Sequence, residues 1–168
     1  MAIFFKNLRF RILGLLPLVL LFFTAFIGKS IIDIVFFTIN IHYIIIYYWV
    51  LKNPQFLGYG FIFLSGVVTD VILGFPIGAN ALALLVIASV AAYARLVTVK
   101  ASLFTDWFSF IPALLLANFI FFISLYLSNF SISYINLLFS SISTFIFYPM
   151  LWLIFGIFSN FIRSGSHA

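Results

Sequence analysis

The chain has 168 residues, of which 66% are hydrophobic, 21% aromatic and only 7% charged, with a formal net charge of +5 and no cysteine. A soluble domain carries about a quarter charged residues, so this composition excludes one and marks an integral membrane protein built as a single transmembrane domain over residues 1–168. The lack of cysteine excludes disulfides, thiolate metal sites and cysteine nucleophiles.

About twenty helical residues cross a hydrocarbon core, and the apolar runs divide the chain into six such segments. The N-terminal stretch, Lys6-Asn-Leu-Arg9-Phe-Arg11 before an apolar run, resembles a signal peptide. No small-residue cleavage site follows Phe26-Ile27-Gly28, so the first helix, 12–27 with Pro17 in its early turns, is expected to be retained. The second, 31–51, is rich in β-branched and aromatic residues, which would favour strand in water; in lipid its length and continuity favour helix. Pro54 marks its end. The third spans 56–73, and a break follows at Gly74-Phe-Pro76-Ile-Gly78. The fourth, 79–97, leads to a loop around Lys100. The fifth, 107–127, contains Pro112. A polar turn, Ser128-Asn129-Phe130-Ser131, precedes the sixth, 135–158, which Pro149 is expected to kink.

Charge sets the expected topology. With the N-terminus in the cytoplasm, Lys6, Arg9, Arg11, Lys52, Arg95, Lys100 and Arg163 fall on the cytoplasmic side and only Lys29 on the outer side. Seven against one is a strong positive-inside bias, and both termini are then cytoplasmic. The basic residues are spread singly between apolar runs, so they fit orientation among membrane lipids and not nucleic acid. Tyr47, Tyr48, Trp49, Trp107 and Trp152 fall near cytoplasmic helix ends, where interfacial aromatics are expected.

One segment breaks the apolar pattern. Gly66, Asp70 and Gly74 are spaced i, i+4, i+8 and share one face of the third helix, which Ser65 widens and Gly58 or Gly60 would extend. Small residues allow another backbone to approach closely in a membrane. Asp70 would then point into the bundle, with Thr69, the polar groups of Asn80 or the N–H groups opening the fourth helix as partners. Pro76 and the flanking glycines allow a tight turn in which Asn80 or the Gly78 region caps that helix. An ionisable residue at bilayer depth is functional or architectural by default. Three roles stay open for Asp70: a cap that locks the turn, a coupling or protonation site, and a contact to a partner protein. Asp33 and Asp106 both sit near helix ends, so the chain offers no second clear carboxylate within a span, which weighs against a transporter-like relay.

The segment Gly66-x-x-x-Asp70-x-x-x-Gly74-x-Pro76-x-Gly78-x-Asn80-Ala-Leu resembles the signature region of the MreD family, bacterial rod shape-determining membrane proteins. The layout fits over nearly the whole chain; specific residues match only between Gly66 and Leu82. The resemblance implies a non-enzymatic inner-membrane scaffold of the elongation machinery. It would bind MreC, a bitopic partner, and act indirectly with the MreB filament and peptidoglycan-synthesising enzymes. It also implies a fold similar to the substrate-binding subunits of energy-coupling-factor vitamin transporters, which makes such a subunit the alternative function.

The remaining polar residues read as structural. His42 is a lone histidine near Asn40 and Tyr43 and fits hydrogen-bonded packing better than a metal site. Lys29 and Asp33 fit an i, i+4 ion pair. Asp106 fits a first-turn acid or, with Thr105, a helix cap. His167 lies in a polar tail. Asn118 on the fifth helix and Asn136, Ser140, Ser141, Ser143 and Thr144 on the sixth fit helix-to-helix hydrogen bonding, with a solute cavity as the sharper alternative. The sequence shows no phosphate-cradling glycine loop, metal-ligand cluster, paired aspartate or Ser-His-Asp set, so neither catalysis nor a cofactor or metal is expected.

Overall fold

The computed structural model describes residues 15–27, 39–98, 102–130 and 134–164. The Lys29–Asp33 pair, the basic residues Lys6, Arg9, Arg11 and Lys100, and His167 lie outside the described residues. So do most of the expected start of the second helix, 31–38, and residues 12–14 of the first.

The described residues form six α-helices and one 3₁₀ turn, with no strand among them. The helices are α1 (Leu16–Ile27), α2 (Ile41–Lys52), α3 (Tyr59–Leu73), α4 (Ala79–Val97), α5 (Leu103–Leu127) and α6 (Tyr134–Ser164); the 3₁₀ turn is Pro54–Phe56. Three of them, α4, α5 and the Ile135–Ile157 part of α6, are long and apolar enough to cross a membrane, which marks the chain as a membrane protein. α1 and α3 are shorter apolar helices.

Expected and observed boundaries differ for physical reasons. The second helix was expected to run unbroken from 31 to 51, but Ile39 and Asn40 are not helical. The Asn40 N–H instead donates to Thr144 Oγ1 of α6 at 2.9 Å, and its side chain makes no cap bond. The third helix starts at Tyr59, not 56, because Pro54 opens a separate 3₁₀ turn and Gly58 is extended at φ −71°, ψ 144°. The fifth starts four residues early, at Leu103, because the Ser102 hydroxyl accepts from the Thr105 N–H and caps it.

α2 is the axis of the bundle. Residues 43–51 are all buried; α2 packs on α1, α4 and α6, while α1, α3, α4, α5 and α6 neighbour one another in that order. A helix apolar on all sides belongs in an interior. Tyr47, Tyr48 and Trp49 are therefore core residues, not the interfacial aromatics expected: Tyr47 and Trp49 have no exposed surface. Because lipid is as apolar as leucine, packing and polar contacts, not the hydrophobic effect, hold such helices together. Tyr47, Phe110 and Tyr148 supply much of that contact. The Tyr47–Phe110 centroids are 4.8 Å apart and the Phe110 and Tyr148 rings stack at 4.6 Å, joining α2, α5 and α6. α4 lines its inner side with Ala79, Ala81, Ala83, Ala88, Ala91 and Ala94, which lets neighbouring backbones come close.

The two ends of the bundle are distinct. At one, Lys52 closing α2 meets Asp106 opening α5. At the other, Phe75 of the α3–α4 turn packs edge-on against Phe121 and Phe130, at 5.7 and 5.5 Å, where α5 ends.

Candidate functional site

The α3–α4 turn gathers most of the residues singled out in the sequence. A helix opens with N–H groups that have no partner inside it. α4 begins after Gly78, which has no side chain to cap it. The acceptor comes instead from the preceding helix. Asp70, fully buried near the end of α3, accepts from the Gly78 N–H through Oδ2 at 2.8 Å and from the Asn80 N–H through Oδ1 at 2.9 Å. The Asn80 side-chain amide donates to the same Oδ1 at 2.9 Å. Both carboxylate oxygens are engaged, and the negative charge sits at the positive end of the α4 dipole. Asn80 thus contributes as a donor to Asp70 and not as the cap itself. Thr69, the other expected partner, donates its hydroxyl to the Ser65 carbonyl at 2.9 Å.

The turn is shaped by two glycines with positive φ, Gly74 at +68° and Gly78 at +102°. Gly74 ends α3. The Phe75 N–H returns to the Asp70 carbonyl at 2.9 Å and the Gly74 N–H to that of Val71 at 3.4 Å, the Schellman pattern. The Pro76 carbonyl then accepts from the Ala79 N–H at 3.1 Å. α5 stops in the same way: the Phe130 N–H returns to the Leu125 carbonyl at 3.0 Å, with Asn129 at φ 51°. Phe75 and Phe130, the residues just past each stop, are the pair in edge-on contact.

Gly66 and Gly74 do different work, although their spacing puts them on one face. Gly66 is buried, and a Cβ built on it would lie 2.4 Å from the Ala81 Cα. Gly74 is exposed, with nothing within 4 Å of a built Cβ. Its role is conformational. Gly74→Ala should therefore cost only the left-handed penalty of an L-residue, about 1–2 kcal/mol. The check is the thermal midpoint in detergent, which should fall modestly with the folded yield unchanged. Gly58 and Gly60 are exposed and do not extend the packed face.

A second polar cluster was not foreseen. Asp106 stands in the first turn of α5 as expected and is not its cap, but it is 2% exposed and pairs with Lys52 Nζ at 2.6 Å. The Trp152 indole N–H donates to Asp106 Oδ2 at 3.0 Å, and Lys52 Nζ lies 5.6 Å from the Trp152 ring centre. The signal for this pair was available. Alternating helices place Lys52 and Asp106 at one end, and a buried charge needs a partner. The other polar residues bridge helices. Asn118 Nδ2 donates to Ser141 Oγ at 2.8 Å. Thr24 Oγ1 lies 3.1 Å from His42 Nε2 and 2.9 Å from two α1 carbonyls.

Chemically, the Asp70 site fixes a rigid corner: a carboxylate with both oxygens engaged by the turn that follows it. Comparison with protein-family models, curated proteins and solved structures found no match for this chain.

Proposed function

We propose that this chain is a non-enzymatic scaffold of the MreD type in the bacterial inner membrane. It would bind the bitopic partner MreC and act through it with MreB and the peptidoglycan synthases to maintain rod shape. All six helices then cross the membrane with both termini cytoplasmic, in a layout similar to the substrate-binding subunits of energy-coupling-factor transporters. The Lys52–Asp106 end faces the cytoplasm and the Gly74–Gly78 turn faces outward. The exposed apolar residues Val19 and Phe23 of α1 and Phe61, Phe63 and Val71 of α3 fit lipid contact along the two shorter helices.

The observation that carries this proposal is that both Asp70 oxygens are held by Gly78 and Asn80 of the turn that follows it. A carboxylate whose two oxygens are both tied into its own turn is placed to shape a docking surface, whereas one that captures a solute or carries a proton keeps an oxygen free of such ties. Gly66, Asp70, Gly74, Pro76, Gly78 and Asn80 hold the α3–α4 corner in this role. The test is affinity capture of the tagged protein from native membranes in mild detergent, with bound proteins and small molecules identified by mass spectrometry. Recovery of MreC and peptidoglycan synthases is the expected result. Recovery of an ATPase module with a stoichiometric vitamin-sized ligand would overturn the scaffold and install the transporter subunit in its place.

A further inference from the structure

Pro149 has no N–H, so the Phe145 carbonyl one turn earlier in α6 lacks its helical donor. The Trp107 indole of α5 takes that carbonyl at 2.9 Å, with its ring stacked on Phe145 at 4.9 Å. On the far side of the proline the bond runs the other way: the Trp152 indole of α6 donates to Asp106 of α5. α6 runs on as one helix through Pro149, without the expected break, and two adjacent α5 residues tie it separately before and after the proline.

The two halves of α6 are not packed alike. Before Pro149, Ser140, Ser143, Thr144 and Tyr148 are buried, with Leu138, Phe139, Ile142 and Ile146 exposed on the other face. Between 150 and 157, Phe155 is the buried residue, while Met150, Leu153, Ile154 and Ile157 are exposed. The tie on this half is polar and reachable, because Lys52 is 21% exposed beside Asp106.

We propose that Pro149 is a hinge and that Trp152, Asp106 and Lys52 form the latch of a movable arm, the α6 segment from Met150 to Ser164. Docked, the arm lies against α2 through Phe155, whose ring is 5.4 Å from Tyr48 and 6.4 Å from Trp49. Released, it swings about Pro149 while the half before the proline stays held by Trp107. This device stands independently of the scaffold function proposed above.

The chain has no cysteine, so paired cysteines carry spin labels without background. One pair, Leu96→Cys with Ile157→Cys, reports the arm; a second, Leu82→Cys with Leu138→Cys, reports the half before Pro149. All four positions are exposed. In the otherwise native protein both pairs should give a single distance population. Trp152→Phe, which keeps the ring and removes the donor, should add a second, longer population to the first pair only. Adding Pro149→Ala, which restores the missing helix N–H, should collapse it again. An unchanged first pair in Trp152→Phe, or equal broadening of both pairs, would overturn the latch. Persistence of the second population with Pro149→Ala would overturn the hinge.

Discussion

Replacing Gly66 with alanine should separate α3 from α4, and replacing it with leucine should leave no stable fold. A Cβ at Gly66 would lie 2.4 Å from the Ala81 Cα, 2.7 Å from its nitrogen and 3.0 Å from its Cβ. Two of those atoms are backbone, so no rotamer change relieves the clash, and trimming Ala81 to glycine would not rescue it. The helices must move apart, and Asp70 sits one turn along the same interface. Its bonds to Gly78 and Asn80 are 2.8–2.9 Å long, and hydrogen bonds weaken beyond about 3.2 Å. Overpacking costs about 1–3 kcal/mol, and loosening the cap adds to it. Gly66→Ala should thus lose about 3 kcal/mol, against a total stability of about 5–15 kcal/mol for a typical protein. Folded yield on size exclusion and the thermal midpoint in detergent read the effect. Gly60→Ala is the control: it sits on the same helix with nothing within 4 Å of its Cβ and should be neutral. A Gly66→Ala protein as stable as the parent would refute the close approach.

The α3–α4 corner was legible because its signals are local and chemical. A lone aspartate in an apolar run, two glycines and a proline leave few alternatives, and Asn80 and the α4 N–H groups were in reach of the carboxylate. What spacing could not give was the difference between Gly66 and Gly74. Both fall on one helical face, but the helix has ended by Gly74, so one glycine serves packing and the other a positive φ. Tyr47, Tyr48 and Trp49 were misplaced at an interface for a related reason. In an apolar helix the lipid-facing and protein-facing sides carry the same residue types, so periodicity does not separate them, and only the packing of α1, α4 and α6 against α2 makes it the core. Asp106 was given a local role because Thr105 and the helix start are its chain neighbours. Its partner Lys52 lies on another helix, and alternation of the helices was the cue that placed them together. Ser102 as the α5 cap was readable from residue type alone. Pro149 announced an orphaned carbonyl, but nothing in the sequence named Trp107 as the donor that takes it.

Asp70→Ala should destabilise the protein by about 3 kcal/mol, and Asp70→Asn by roughly half as much. Alanine leaves the N–H groups of Gly78 and Asn80 and the Asn80 amide without their acceptor, and each buried donor so abandoned costs about 1–3 kcal/mol. Relief of the desolvated charge returns part of that sum. Asparagine keeps one carbonyl oxygen, which can still receive both Asn80 donors at the Oδ1 position. Its NH₂ then faces the Gly78 N–H, donor against donor, and that bond alone is lost. Amide exchange by NMR makes the difference local. Alanine should speed exchange at both Gly78 and Asn80, whereas asparagine should speed it at Gly78 only. Asn80→Ala, which removes one donor and leaves both backbone bonds, should cost least, about 1 kcal/mol. The order matters more than the sizes. A carboxylate retained to titrate or to bind a cation would be disabled as thoroughly by asparagine as by alanine, since both remove the charge. A cap instead loses function in proportion to the acceptors removed, so equal stability and equal exchange in the two variants would count against the architectural role of Asp70.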